Sequence, residues 1–282
     1  MIIVLKNADF SRNNIGNIPI NLPIKEETKR IMSLYTKYPV EQENEFAQAL
    51  NSLVTKMQNS GLYDKITMLA LPSMASSIAE CRINAKNGDV VSNESLFESL
   101  YTLDNGMLKR TDTTFEDTIN TCGHVINHSS NDFTMFGIYF TEVTNGYTIE
   151  PICGGRINGW YGFKSTYRYI SDGPSGQILA GGNNVSPKGG SGALLAAYGI
   201  TTTPFVVSFD GDTVYYRDKR LSRIGVCTPT DEKLIQFYPL LVGTSNSPSI
   251  GSMMLYGCGY KLTESEVSEM YALLEEFYNN IL

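Results

Sequence analysis

Histidine, tryptophan and charged residues are scarce in this chain of 282 residues, which contains two His, one Trp and 18% charged residues. A Ser-His-Asp or Cys-His catalytic site would therefore have to use His124 or His128. The Ser of a G-x-S-x-G nucleophile turn is also lacking, since Gly189-Gly190-Ser191-Gly192 is followed by Ala193 where the last Gly belongs. The sequence gives no support to a hydrolase of these types, and we predict a protein that is not an enzyme.

The five cysteines lack the close spacing of a zinc site or a redox motif. They are Cys81, Cys122, Cys153, Cys227 and Cys258. Since no C-x-x-C pair occurs and the number is odd, we expect reduced thiols that are mostly buried.

Metal ligation is weakly indicated at two places. Cys122 precedes His124 and His128, but Val125 stands where a zincin helix needs Glu, so the segment is interpreted as a polar loop with two ordinary histidines. The acids Asp210, Asp212 and Asp231 leave Ca²⁺ open as an alternative, although turn residues are the simpler interpretation. No metal and no cofactor is predicted.

Net positive charge and long apolar runs are also lacking. The formal net charge is -7 with a pI near 5.0, which argues against a nucleic-acid partner. The longest apolar run, Ala193 to Tyr198, is too short to span a membrane, and the opening MIIVL meets Lys6 too early for a signal peptide. We expect a soluble protein without a membrane span.

Glycine and tyrosine, by contrast, are abundant, with 25 and 17 residues, a composition typical of many strands joined by tight turns. Residues Thr203 to Gly225 predict a ribbon of strands that turns first at Asp210-Gly211-Asp212. A second hairpin is predicted from Phe133 to Cys153, with Asn145-Gly146 as its turn. Further strands are predicted at 66–71, 78–83, 107–110, 160–170, 178–180, 193–200, 234–242 and 252–257.

Three helices frame these strands. Apolar residues recur with helical spacing from Ile24 to Tyr38 and again from Phe46 to Met57, where Gly61 is placed for a left-handed C-cap. Thr263 and Glu266 have the spacing of a capping box, which predicts a helix over residues 263–280. The first two helices must pack on the β domain or on another subunit. The predicted fold is mainly β, an antiparallel jelly-roll β-sandwich, with these helices and an extended N-terminal arm.

An aromatic segment suggests one binding surface. Trp160, Tyr161 and Tyr167 could stack on the face of a sugar ring, although packing in the core also explains aromatic residues in a strand. Cleavage of a glycan would need a pair of facing carboxylates, but Glu142 and Glu150 flank a turn instead. A host-surface glycan is thus a candidate partner without hydrolysis.

Three stretches resemble virion proteins of phages that infect gut Bacteroidales, including the crAss-like phages. The opening Lys6 to Gly16 resembles their K-x-A-D-F-S-x-N-N-I-G tag, and Ala49 to Ile66 looks like their A-L-N-x-x-V...G-I-W-x-K-I run. The ending Gly259 to Tyr271 is similar to G-x-x-L-T-x-x-E-V...L-Y, which is shared with concanavalin A-like (LamG-like) jelly rolls, so the resemblance implies a concanavalin A-like fold.

The resemblance implies a structural virion protein, with residues 1–22 as an attachment arm, 23–61 as a helical linker or oligomerisation segment and 62–282 as the jelly roll. The arm residues that match the tag are Asp9, Phe10, Asn13, Asn14, Ile15 and Gly16. It also implies a homo-oligomer, a dimer or a trimer, that is made in the cytoplasm of the host bacterium and binds other virion proteins at the particle surface. A head fibre and a tail appendage both remain open, and attachment would use strand addition or groove filling.

Overall fold

A computed structural model describes residues 23–38, 44–91, 94–110, 123–129, 131–140, 150–157, 168–173, 177–181, 186–187, 202–219, 222–226, 233–239 and 252–281. In the strands between 150 and 187 it describes the backbone and its pairing. The described part of the chain is mainly β, as predicted, and its strands form two antiparallel sheets.

Five helices are described: α1 (Glu26–Met32), α2 (Glu45–Asn59), α3 (Leu62–Lys65), α4 (Glu94–Leu100) and α5 (Glu264–Ile281). The start of α2 is capped by the Asn44 side chain, which accepts a hydrogen bond from the Ala47 amide at 2.8 Å. Beyond its end, Gly61 adopts a left-handed conformation (φ 76°), as the sequence predicts.

The larger sheet has nine strands: β1 (Ile66–Ala70), β2 (Tyr101–Asp104), β3 (Met107–Arg110), β5 (Asp132–Phe140), β9 (Ser186–Pro187), β10 (Thr202–Asp210), β11 (Thr213–Arg217), β12 (Ser222–Val226) and β14 (Ser252–Gly259). Their order is β2-β3-β14-β5-β10-β11-β12-β9, and β1 pairs with β14 as well. The predicted ribbon is confirmed as β10, β11 and β12, with Gly211 (φ 63°) in the first turn.

The smaller sheet has five strands: β4 (His124–Ser129), β6 (Glu150–Ile157), β7 (Arg168–Gly173), β8 (Gln177–Gly181) and β13 (Lys233–Pro239). Their order is β4-β13-β6-β7-β8. The two sheets face each other, because Phe237 of β13 lies between Phe133 of β5 and Tyr256 of β14, with ring centroids 6.0 and 6.3 Å apart. The result is the jelly-roll-like β-sandwich that the sequence predicts.

The other face of the larger sheet is covered by α5, which packs on β5, β10 and β11. Phe140 of β5 meets Tyr278 of α5, and Phe46 of α2 meets Phe277 of α5 edge to face at 5.7 Å. The buried residues of α1, α2, α5 and the sheet form one continuous hydrophobic core. The apolar stripe of α2 is therefore covered within the chain, by packing on the β domain's own C-terminal helix.

Two predictions about the strands are wrong. The strands predicted as a hairpin between Phe133 and Cys153 do not pair: β5 pairs with β10 and β14, whereas β6 pairs with β13 and β7 in the other sheet. The run from Ile78 to Ile83 is not a strand but contains a 3₁₀ turn at Glu80–Arg82. The proposed turn at Asn145-Gly146 and the strand at 193–200 lie outside the described residues.

Candidate functional site

The predicted attachment arm, including Asp9, Phe10, Asn13, Asn14, Ile15 and Gly16, lies outside the described residues. So do Trp160, Tyr161 and Tyr167, the candidate glycan contacts. Their roles therefore stay predictions. The structure instead describes the place where the chain following the arm joins the domain, and the two histidines.

Pro23 and the residues after it are held against α2 by one buried side chain, Asn51. Its Oδ1 accepts hydrogen bonds from the Lys25 amide at 2.9 Å and from the Thr28 hydroxyl at 3.1 Å, and its Nδ2 donates to the Pro23 carbonyl at 3.4 Å. Both Thr28 and Asn51 are buried. This clamp fixes the chain immediately after residue 22 to a helix of the hydrophobic core.

A network of charges fixes α1 to the rest of the fold. The guanidinium of Arg30 donates to both carboxylate oxygens of Glu27 and to the carbonyl of Ala85 at 2.6 Å. The Tyr63 hydroxyl also donates to Glu27, and Lys86 lies 3.4 Å from the centre of the Tyr63 ring. The hydrogen bond from Arg30 lowers the pKa of Glu27, against the opposing effect of burial, so the carboxylate stays charged and holds the network together.

Residues 61–66 and 259–267 form a second joint, which we call the Lys65–Glu266 junction. The ammonium of Lys65 binds both carboxylate oxygens of Glu266, at 2.6 and 2.8 Å, and the Tyr260 amide donates to the Lys65 carbonyl at 2.9 Å. The predicted capping box is confirmed, since Glu266 accepts from the Thr263 amide at 2.8 Å while Thr263 Oγ1 accepts from the Glu266 amide at 3.4 Å. Glu266 thus caps α5 and joins it to the end of α3.

Gly259 makes this junction possible because the chains approach closely there. A Cβ at this position would lie 2.1 Å from the Lys65 carbonyl oxygen and 3.0 Å from the Ile66 Cα. Both are backbone atoms, so neither can rotate away as a side chain would. The glycine is required by packing.

Farther along, Lys56 of α2 binds both carboxylate oxygens of Glu276 in α5, at 2.5 and 2.7 Å. The depression beside this pair has no internal room even for a water molecule. It is a closed helix–helix contact and offers no ligand pocket.

The two histidines lie in β4, which corrects the prediction of a polar loop. Burial alternates along the strand, so His124, Ile126 and His128 point inward while Val125 and Asn127 are exposed. Each histidine is 3% exposed. The alternation of His124, Ile126 and His128 with exposed residues is the sequence signal for this strand. The i, i+4 spacing of the same two histidines suggested a helical metal motif instead.

Each histidine has a polar neighbour on the larger sheet. His128 Nε2 lies 2.7 Å from Thr67 Oγ1, which is 3.4 Å from the Cys258 carbonyl, and His124 Nε2 lies 3.5 Å from the Tyr256 hydroxyl. Burial lowers the pKa of His124 to about 3. Burial also lowers the pKa of His128, and the nearby Asp132 opposes this effect. Both imidazoles are therefore neutral at pH 7 and are shielded from any substrate in solution.

Metal binding finds no support in the part of the chain that the structure describes, where no group of three or more His, Cys, Asp or Glu side chains could hold an ion. Cys122, the third member of the candidate trio, lies outside that part, and so does Asp231. Asp210, the last residue of β10, forms an ion pair with Lys261 at 2.6 Å.

The side chains of two cysteines, Cys81 and Cys258, are described, and both are buried free thiols, as predicted. Burial raises the pKa of Cys81 to about 12 and raises that of Cys258 further. Neither forms a reactive thiolate at neutral pH. No helix of the described ranges is long and apolar enough to cross a membrane.

Comparison with known proteins gives structural likenesses only. A scan against protein-family models matches none, and no curated protein matches the sequence. Among solved structures, Trypanosoma rangeli sialidase in complex with a difluoro-KDN compound matches with a TM-score of 0.49 and 11% identity, over 83% of this chain and 40% of the sialidase.

Two other solved structures match less well. The exoplasmic/lumenal domain of VIP36, in its Ca²⁺/Man3GlcNAc-bound form, gives a TM-score of 0.37 and 12% identity over 58% of this chain and 83% of that domain. A leech intramolecular trans-sialidase gives 0.32 and 10%, over 53% of this chain and 26% of the enzyme. The chain spans about two fifths of the sialidase it matches. At these TM-scores neither sialidase activity nor sugar binding is transferred to it.

Proposed function

We propose that this chain is a non-enzymatic structural component of a bacteriophage virion, a homo-oligomeric head fibre or decoration protein attached through residues 1–22. The observation that supports the proposal is the Lys65–Glu266 junction. Two of the three stretches that resemble phage virion proteins meet there, although Lys65 and Glu266 are 201 residues apart in sequence.

The contacts at the junction explain why the residues that match the two motifs occupy these positions. Gly61 takes the left-handed conformation, Lys65 pairs with Glu266, and Gly259 admits the Lys65 carbonyl. Leu262 and Val267, which occupy the Leu and Val of the ending motif, are buried. The residues of the two motifs thus belong to one structural contact. A match to the family motifs at all of these residues is more specific than a match at unrelated turns.

The clamp at Asn51 suits an attachment role for the preceding arm. Tension on residues 1–22 would pass through Pro23 to Asn51 and so to α2, whose inward residues Leu50 and Val54 are fully buried. A core helix resists such a load better than a surface loop, because displacing it exposes apolar surface.

Deletion of residues 1–22 tests the proposal. The phage that encodes this chain would be grown in a host that supplies tagged full-length protein, the deletion, or a version with residues 1–22 in scrambled order. We expect all three to fold with the same circular dichroism, and only the full-length protein to be found in purified particles. Incorporation of the deletion or of the scrambled version at the full-length level would refute attachment through the arm.

The oligomeric state is tested by light scattering on the full-length chain. We expect two or three times the monomer mass of 31.2 kDa. A mass of 31.2 kDa for the full-length protein would refute the homo-oligomer.

A tail-associated or host-surface carbohydrate-binding module is the alternative. It is favoured by the aromatic residues Trp160, Tyr161 and Tyr167, which stand in the sequence between β6 and β7 of the smaller sheet. We expect Trp160→Ala to abolish signals on an array of bacterial surface glycans if this function holds. Tyr260→Ala serves as a matched control, because it removes an exposed aromatic ring elsewhere. Absence of binding by the unchanged protein would remove the alternative.

A further inference from the structure

The chain's two histidines lie on one face of one strand at the edge of the sandwich. His124 and His128 are the inward-facing polar residues of β4, which pairs with β13 alone among the described strands. They press against the larger sheet, where the ring of His128 meets Tyr260 at 4.7 Å and Phe133 at 5.9 Å. The two ionisable imidazoles thus lie between the backbone of β4 and the apolar surface of the larger sheet.

Among the described residues, the groups that face these histidines provide one negative charge. From β5, Asp132 acts on His128, but its Oδ1 also accepts the Lys261 amide at 2.7 Å. From β14, the facing residues are Tyr256 and Cys258, and Tyr260 follows directly after the strand; none of the three carries a carboxylate.

The other described neighbours of β4 present no carboxylate to its inner face. β1 supplies the uncharged Thr67, and Lys233 of β13 pairs with Ser129 on the exposed face. Burial alone lowers the pKa of His124, with no contribution from a carboxylate of the described residues.

We propose that β4 is an acid-sensitive edge: protonation of His124 and His128 separates it from the larger sheet and exposes the apolar surface of β5 and β14 beneath. Closed β4 keeps both imidazoles neutral, whereas open β4 lets them bind protons in water, so acid favours the open form. The sign follows from linkage. Since the closed form has the lower pKa, its advantage is complete above the ordinary histidine pKa of about 6.5 and declines as pH falls below it.

Cys258 provides a probe of the opening, because it is buried in β14 beside Thr67, the partner of His128. The experiment measures its labelling by a disulfide reagent that reacts in acid, 4,4′-dithiodipyridine, from about pH 7 to about pH 4.5. Peptide mass spectrometry separates Cys258 from Cys81, and rates are divided by those of the unfolded chain. Cys81 is an internal control, since it is buried near Ser77 in the 3₁₀ turn Glu80–Arg82, outside both sheets.

We expect the relative labelling of Cys258 to rise up to about tenfold per pH unit for each histidine that takes up a proton, while Cys81 stays protected. The double variant His124→Gln, His128→Gln should remove the rise. The control variant Asn127→His adds a histidine on the exposed face of β4 and should keep the original dependence. If the double variant does not fold, the single variant His124→Gln replaces it. This variant should reduce the slope of the Cys258 labelling rate against pH.

Three results would overturn the proposal. Protection of Cys258 down to the lowest pH would show that β4 stays closed. Simultaneous labelling of Cys258 and Cys81 would show global unfolding in place of a local opening. An unchanged pH dependence in a folded variant without these histidines would assign the opening to other groups.

Discussion

Gly259 offers the sharpest test of the Lys65–Glu266 junction. Alanine at this position places a Cβ 2.1 Å from the Lys65 carbonyl oxygen, so β1 and β14 must move apart at the pair Ile66–Gly259. Overpacking of this kind costs about 1–3 kcal/mol. The hydrogen bond from the Tyr260 amide to the same carbonyl (2.9 Å) would be lost or stretched, which adds about 1 kcal/mol. We therefore expect Gly259→Ala to lower the free energy of unfolding by about 2–4 kcal/mol.

Gly211→Ala is the matched control. No atom lies within 4 Å of a Cβ at Gly211, and its backbone is left-handed (φ 63°). The substitution should cost only the left-handed strain, about 1–2 kcal/mol. Urea unfolding followed by circular dichroism measures the free energy of unfolding of both variants. An unchanged slope of this free energy against urea concentration shows that the same transition is compared. If Gly259→Ala proves no more destabilising than Gly211→Ala, the close approach at the junction is refuted.

Two further stability predictions concern the helices. Glu266→Gln weakens both the α5 cap and the pair with Lys65, and should cost about 1 kcal/mol at neutral pH, since the pair is partly exposed. Burial raises the pKa of Glu266, but hydrogen bonds from Lys65 and Thr263 outweigh it and lower the pKa overall, so this stabilisation is present above about pH 4.5 and is lost as pH falls through the lowered value. Urea unfolding midpoints of Glu266→Gln and of the unchanged protein, measured above and below about pH 4.5, check this prediction. An equal shift of the midpoint for Glu269→Gln, at an exposed position, would contradict it. Leu50→Ala in α2 should cost about 2–5 kcal/mol, against near zero for exposed Gln58→Ala, and equal unfolding midpoints would show that α2 is peripheral.

The fold class and most local elements could be predicted because their signals are local. The turn at Gly211 requires a residue that tolerates positive φ, and the cap at Thr263 requires a partner three residues later. Helix α2 shows its buried face in the spacing from Phe46 to Met57. Each of these features is decided within a few residues, and each is confirmed.

Pairing between distant strands could not be predicted in the same way. A turn signal indicates that the chain reverses, but not whether the next strand stays in the same sheet, and β5 and β6 belong to different sheets. The contact between Lys65 and Glu266 could not be predicted either, because neither motif indicates which distant residue it contacts. The separate roles predicted for residues 1–22, 23–61 and 62–282 stay predictions, although α1 and α2 share the core of the sandwich.

The position of His124 and His128 was missed for another reason. Polar residues in a Gly- and Ser-rich neighbourhood are typical of loops, whereas here neutral imidazoles replace apolar residues on the inner face of β4. Thr67 and Tyr256 lie near the Nε2 atom of His128 and of His124, whereas the buried Nδ1 of His128 has no hydrogen-bond partner among the described residues. Only the alternation with Val125 and Asn127 indicated the strand.

The most direct test of a structural role in the virion is to locate the protein itself. Particles purified from infected cells would be analysed by mass spectrometry and by gold labelling with an antibody against the described domain. We predict that the chain is present in many copies per particle and that the label decorates the particle surface, on the head. Its absence from purified particles, while it is abundant in the lysate of the same cells, would contradict the proposed function.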